Sequence, residues 1–163
     1  MAATDSRGVA RVRAALADAG AASEVVVLAD TSRTAADAAA ALGVEVGQIA
    51  SSLVFVLPDG SPLLVITSGR HRVDVGRVAA VLGVDGLGRA DADFVKRASG
   101  FSIGGVAPVG WSGDADPVVV IDEALGDYGE VWAAGGHPHA VFATSYDELV
   151  RLTGARPVRV ADD

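Results

Sequence analysis

Between residues 52 and 67 the sequence SLVFVLPDGSPLLVIT sets two apolar runs, Ser52–Leu57 and Pro62–Thr67, on either side of Pro58-Asp59-Gly60. Proline presets the φ of a turn and glycine accepts the conformation that closes it, so the two runs are expected to fold back as an antiparallel hairpin. A chain with such a hairpin in its first half is not a strict alternation of strand and helix. Helical spacing and stops surround it. Val9, Val12, Leu16 and Ala19 mark a first helix from Ser6 to Ala19, with Gly20 as its stop. Ser23–Leu28 reads as a strand, Asp30–Arg33 as a turn, and Thr34 with Asp37 as a capping box for an Ala-rich helix to Leu42, closed by Gly43. Further helices are expected at Asp74–Leu82 and Ala92–Ala98, and a second capping box, Ser145 with Glu148, opens one that runs to Leu152. Strands are expected at Val118–Ile121, Val131–Ala133 and Ala140–Ala143, with an edge strand at Val158–Val160. This order predicts an α/β chain with a mixed or antiparallel sheet flanked by helices.

Composition bounds the rest. The 163 residues are 50% hydrophobic with a mean hydropathy of +0.38, which suits one buried core and no disordered tail. No internal repeat or long linker divides the chain, so residues 1–163 are expected to form one domain. Thirteen Lys+Arg against 21 Asp+Glu leave a net charge of −8, which disfavours binding to nucleic acid or anionic membrane by bulk charge. With no cysteine, disulfides, thiolate metal sites and cysteine nucleophiles drop out together. No run approaches the roughly twenty apolar residues that span a bilayer, and the N-terminal segment carries charges where a secretory leader is apolar. A cytoplasmic location is the expectation.

Several segments could carry chemistry. Gly104-Gly105-Val106-Ala107-Pro108 could present backbone N–H groups to a carboxylate, phosphate or oxyanion, or could be a plain turn. Gly135-Gly136-His137-Pro138-His139 places imidazoles beside flexible backbone. A metal site there would need a third ligand such as His71, and a triad could be drawn from Ser51 or Ser52, His137 and Asp122. No metal-ligand spacing and no nucleophile-elbow sequence supports either. Arg70-His71-Arg72 with Arg77 is a basic cluster that could meet phosphates or form ion pairs with Asp74. Asp91/Asp93 and Asp114/Asp116 read as cap and turn residues, and Lys96, the one lysine, as a surface position on a helix.

Taken in order, TSRTAADAAAALGVEVGQIASSLVFV, TSGRHRVDVGRVAAVLGV, KRASGFSIGGVAPVGW and AAGGHPHAVFATSYDELVRLTGA resemble the successive motifs of the YbaK/EbsC family. These are aminoacyl-tRNA deacylases related to the prolyl-tRNA synthetase editing domain, and the resemblance runs from about Thr31 to Ala155. It implies a single α/β domain built on a mixed, barrel-like sheet surrounded by helices. The implied activity is trans-acting hydrolysis of the ester of a mischarged tRNA, often tRNA for proline, without metal or organic cofactor. The implied partners are the aminoacyl-tRNA acceptor end and a prolyl-tRNA synthetase that supplies tRNA affinity, with no membrane and no DNA. By the same resemblance Gly104, Gly105, Val106 and Ala107 supply the loop that stabilises the oxyanion, and His137 matches the histidine after the late glycines. Arg70, His71, Arg72, Pro108 and Trp111 become the substrate-binding residues. Two positions depart from the family pattern. The lysine central to editing in most members is replaced by Ser51, a neutral donor and acceptor. Pro108-Val109-Gly110 leads into Trp111 where a histidine is common, and this indole could stack on a base at the pocket mouth. The alternative is a module that kept the pocket, lost hydrolysis and binds an aminoacyl or nucleotide-like ligand or a protein partner.

Overall fold

The hairpin is the spine of the molecule, and in the computed structural model, which describes residues 6–29, 34–113 and 116–162, it is longer than the turn signal alone predicts. The elements in chain order are α1 (Arg7–Asp18), β1 (Val25–Val27), α2 (Ala35–Leu42), β2 (Ile49–Val56), β3 (Pro62–Ser68), α3 (Val75–Leu82), β4 (Gly88–Arg89), α4 (Ala92–Ser99), β5 (Val118–Asp122), β6 (Val131–Ala134), β7 (Ala140–Thr144), α5 (Tyr146–Thr153) and β8 (Arg156–Val158). The expected turn at Asp30–Arg33 lies outside the described residues except for its flanks.

β2 and β3 pair antiparallel from Ala50↔Ser68 to Val56↔Pro62. The turn between them is closed by Asp59, whose Oδ1 accepts from the Ser61 hydroxyl at 2.6 Å and the Ser61 N–H at 3.0 Å. These bonds from Ser61 hold the Asp59 carboxyl below its usual range. β2 begins earlier than expected because a 3-10 turn, Val46–Gln48, delivers Ile49 directly into a parallel pairing with β6. Parallel pairing also joins β3 to β5 and β5 to β8, whereas β6–β7 and β7–β1 are antiparallel. The result is a mixed sheet in the order β1-β7-β6-β2-β3-β5-β8, with β4 attached to β2. The last strand falls at Arg156–Val158, two residues before the position expected from its valines. The two-residue β4 carries no sequence signal of its own.

Alternation along β3 sends Leu64 and Ile66 to one core with Val12, Leu16, Phe101 and Phe142, and Leu63 and Val65 to another with Val78 and Val120. Burial on both faces explains why this strand reads as a continuous apolar run. The helices start on side-chain caps, at Thr34, Asp91 and Ser145 as expected, and also at Ser6 and Asp74, which the spacing places inside their helices. Ser6, Thr34, Asp74, Asp91 and Ser145 each accept from a first-turn N–H. The second capping box is half formed, because Glu148 Oε1 accepts from Thr144 and Ser23. Among the described residues, no helix is long and apolar enough to cross a membrane.

Two features of this frame create a site. β2 pairs with β6 only at Ile49 and Ala50, and with β4 only at Phe55 and Val56, so the intervening edge has no strand partner among the described residues. α1 then braces the loops that approach this gap. Gly8 packs so closely on Gly136 that a Cβ at Gly8 would overlap the Gly136 carbonyl. Arg11 donates from Nε to the Gly110 carbonyl at 3.1 Å, with its guanidinium 4.5 Å from the Phe101 ring centre.

Candidate functional site

The gap along β2 opens into a cleft of about 310 Å³. Ser51 and Ser52 line it from β2, Ala35 and Ala38 from α2, Gly104 and Val106 from the glycine loop, and Trp132, His137 and Pro138 from β6 and the loop after it. Three segments far apart in sequence therefore meet here.

The two glycine loops are fitted to each other. Gly104 adopts φ +86°, and a Cβ there would meet open space. Gly105 has no positive φ; its constraint is a neighbour, because a Cβ would lie 3.0 Å from Pro138 Cδ and 3.1 Å from His137 Cα. The Gly105 N–H donates to the Ser102 carbonyl at 2.9 Å and is engaged within the loop. The amides of Val106 and Ala107 have no acceptor among the described residues, and Val106 borders the cleft. Backbone donors at this point are suited to a carbonyl oxygen that gains charge. His137 Nδ1 accepts from the His139 N–H at 3.2 Å. A neutral His137 in this arrangement carries its proton on Nε2 and acts there as a donor.

The remaining sequence-derived residues lie elsewhere. Ala107 is buried, and its carbonyl accepts from Trp111 Nε1 at 2.7 Å. That bond curls the indole back onto its own loop, so Pro108 and Trp111 line a separate hollow of about 360 Å³ that includes Ala15 of α1. Arg70 and His71 border a third hollow of about 450 Å³. There His71 Nδ1 lies 2.7 Å from Asp122 Oδ2, with side chains only 3% and 1% exposed. Asp122 also accepts from the Ser68 N–H at 3.0 Å, the Thr67 hydroxyl at 3.4 Å and the Ala124 N–H at 3.0 Å. Asp122 is thus tied to His71, and the triad drawn from Ser51 or Ser52, His137 and Asp122 is not assembled. Arg70 pairs with Asp127 at 3.1 Å and Tyr128 at 2.9 Å rather than with Asp74, which caps α3. The Tyr128 hydroxyl and the Asp127 carboxylate hold the Arg70 guanidinium above its usual range. Arg72 is exposed. Lys96 donates to the Gly100 carbonyl at 3.1 Å at the end of α4 and does not line the cleft that Ser51 borders.

Sequence reasoning missed Trp132, whose only signal is an aromatic residue in the strand that leads into the Gly-Gly-His loop. It also missed the partner of His71, because Asp122 is 51 residues away and looks like the end of an ordinary strand.

Residues 29–152 match the model of a family described as "Aminoacyl-tRNA editing domain". A solved structure of a candidate trans-editing enzyme for prolyl tRNA synthetase superposes with a TM-score of 0.89 at 42% identity, covering 97% of this chain and 99% of the other. A protein from work on epitope backbone grafting onto scaffold proteins gives 0.89 at 41% identity over 97% of this chain and 99% of its own. The hypothetical protein APE2540 gives 0.83 at 28% identity over 93% of this chain and 99% of its own. Comparison with curated proteins gives no match.

Proposed function

The chain belongs to the aminoacyl-tRNA editing domain family, and from that premise we propose that residues 1–163 act as one trans-acting editing domain that hydrolyses the ester of a mischarged tRNA, with tRNA for proline as the carrier. The observation that carries this reading is the convergence of Ser51, Val106 and His137 on one cleft. Water attacks the ester carbonyl, and a new C–O bond forms as the carbonyl electron pair moves onto oxygen. The N–H group of Val106, which borders the cleft, stabilises that oxyanion. As it collapses, the bond to the ribose oxygen breaks. The proton lost by water passes through the neighbouring ribose hydroxyl to the leaving oxygen, giving a free amino acid and an uncharged tRNA. In this scheme His137 donates through Nε2 to a ribose or carbonyl oxygen, and Ser51 holds a ribose hydroxyl. A protein of net charge −8 gains little from phosphate attraction, so a synthetase that already holds the tRNA is the fitting partner.

One observation favours a binding module without hydrolysis. Among the described residues that line the cleft there is neither lysine nor arginine, and Lys96 is held at the end of α4. Single-turnover assays with tRNA charged with alanine, serine, cysteine or threonine separate the readings. Ester loss faster than in protein-free buffer supports the deacylase, and no acceleration on any of the four supports the module.

A further inference from the structure

Trp132 is the one residue with a phenyl or indole ring among the described residues lining the cleft. It pairs with Ile49 across the β2–β6 ladder, and Ser51 lies two residues beyond Ile49. Side chains two apart on a strand share a face, so Trp132 and Ser51 border the same side of the sheet. Strand geometry places their backbones roughly 8 Å apart, a gap that a nucleoside can bridge. The indole N–H is already engaged, donating to Glu130 Oε1 at 3.1 Å. Glu130 is held in turn, since its carbonyl accepts from Gln48 Nε2 at 3.0 Å and Gln48 Oε1 accepts from the Glu45 N–H at 3.0 Å. With its polar edge anchored, the ring offers the cleft a π surface and no hydrogen-bond donor. Leu53, 39% exposed and farther along β2 on the same face, adds apolar surface to the cleft.

We infer that Trp132 is a stacking platform for a purine base, the adenine at the 3′ end of the tRNA, and so positions the ester over the glycine loop. This inference rests on the deacylase reading. Among the described residues that line the cleft there is no lysine or arginine to hold the terminal nucleotide by charge, and base–aromatic stacking supplies sequence-tolerant affinity there. The role anticipated for Trp111 thereby falls to the indole that faces the cleft.

The test uses uncharged acceptor-stem RNAs ending either in CCA or in CC followed by an abasic ribose. Wild type should bind the CCA form on the order of ten-fold more tightly. Trp132→Ala should bind both equally, and Trp132→Phe should regain most of the preference. In deacylation Trp132→Ala should raise KM on the order of ten-fold with kcat within about two-fold, the pattern of lost positioning shared by ground and transition states. Absence of the preference in wild type, or its survival in a folded Trp132→Ala protein, overturns the proposal. A wild type that prefers CCA but hydrolyses no charged tRNA overturns the deacylase reading and supports the nucleobase subsite.

Discussion

At Gly105 one hydrogen atom in place of a side chain lets the glycine loop close on the backbone of His137 and Pro138. Gly105→Val would force these segments apart through contacts near 3 Å. The expected cost is about 1–3 kcal/mol of stability, with turnover reduced roughly 100-fold because the Val106 amide is displaced from the ester. Urea denaturation and single-turnover rates on the same protein check both parts. Gly104 is constrained differently, by its φ of +86° with open space around it, so Gly104→Ala should strain the backbone without pushing on His137. The sequence made both glycines candidates, since adjacent glycines before a proline are visible in any reading. It could not assign each its reason, because Pro138 is 33 positions from Gly105 and only the fold brings them together. Trp111 illustrates the opposite error. Its position after Gly110 suggests a pocket mouth, yet the Ala107 carbonyl captures its N–H and turns the ring to another hollow.

Among the elements, α1 lies outside the matched range of residues 29–152 but touches both loops of the cleft. Its Gly8 meets the backbone of Gly136, next to His137, and its Arg11 holds the Phe101–Gly110 segment. Gly8→Val should therefore lower stability by about 1–3 kcal/mol through overpacking. It should also slow turnover, although Gly8 does not line the cleft. The check is a lower urea midpoint at unchanged slope, together with a reduced kcat in the fraction that remains folded. α1 itself was legible from the spacing of Val9, Val12 and Leu16, and the hairpin from Pro58-Asp59-Gly60, because local chemistry decides both. The cleft was not legible as an element. It exists because β6 leaves β2 after Ala50, and a pairing that stops has no signature in either strand.

For the molecule as a whole, the net charge of −8 works against tRNA, and the few local arginines are not equivalent. Arg70 is committed to Asp127 and Tyr128, whereas Arg72 is exposed and has no ion pair among the described residues. Binding should be weak and strongly salt-dependent. Arg72→Ala should reduce the log–log salt slope by about one and Arg70→Ala by less. Filter binding across a salt series measures both slopes, and equal slopes for the two variants and wild type would contradict this account. The central claim is that the Val106 amide and His137 support hydrolysis of the ester while Ser51 only partly replaces a positioning cation. Single-turnover deacylation of tRNA charged with alanine, serine, cysteine and threonine, with wild type and Ser51→Lys side by side, tests it most directly. The account predicts slow but measurable hydrolysis by wild type and faster hydrolysis by Ser51→Lys. No hydrolysis by either protein would contradict it, and a wild type faster than Ser51→Lys would give Ser51 a chemistry of its own that this account does not contain.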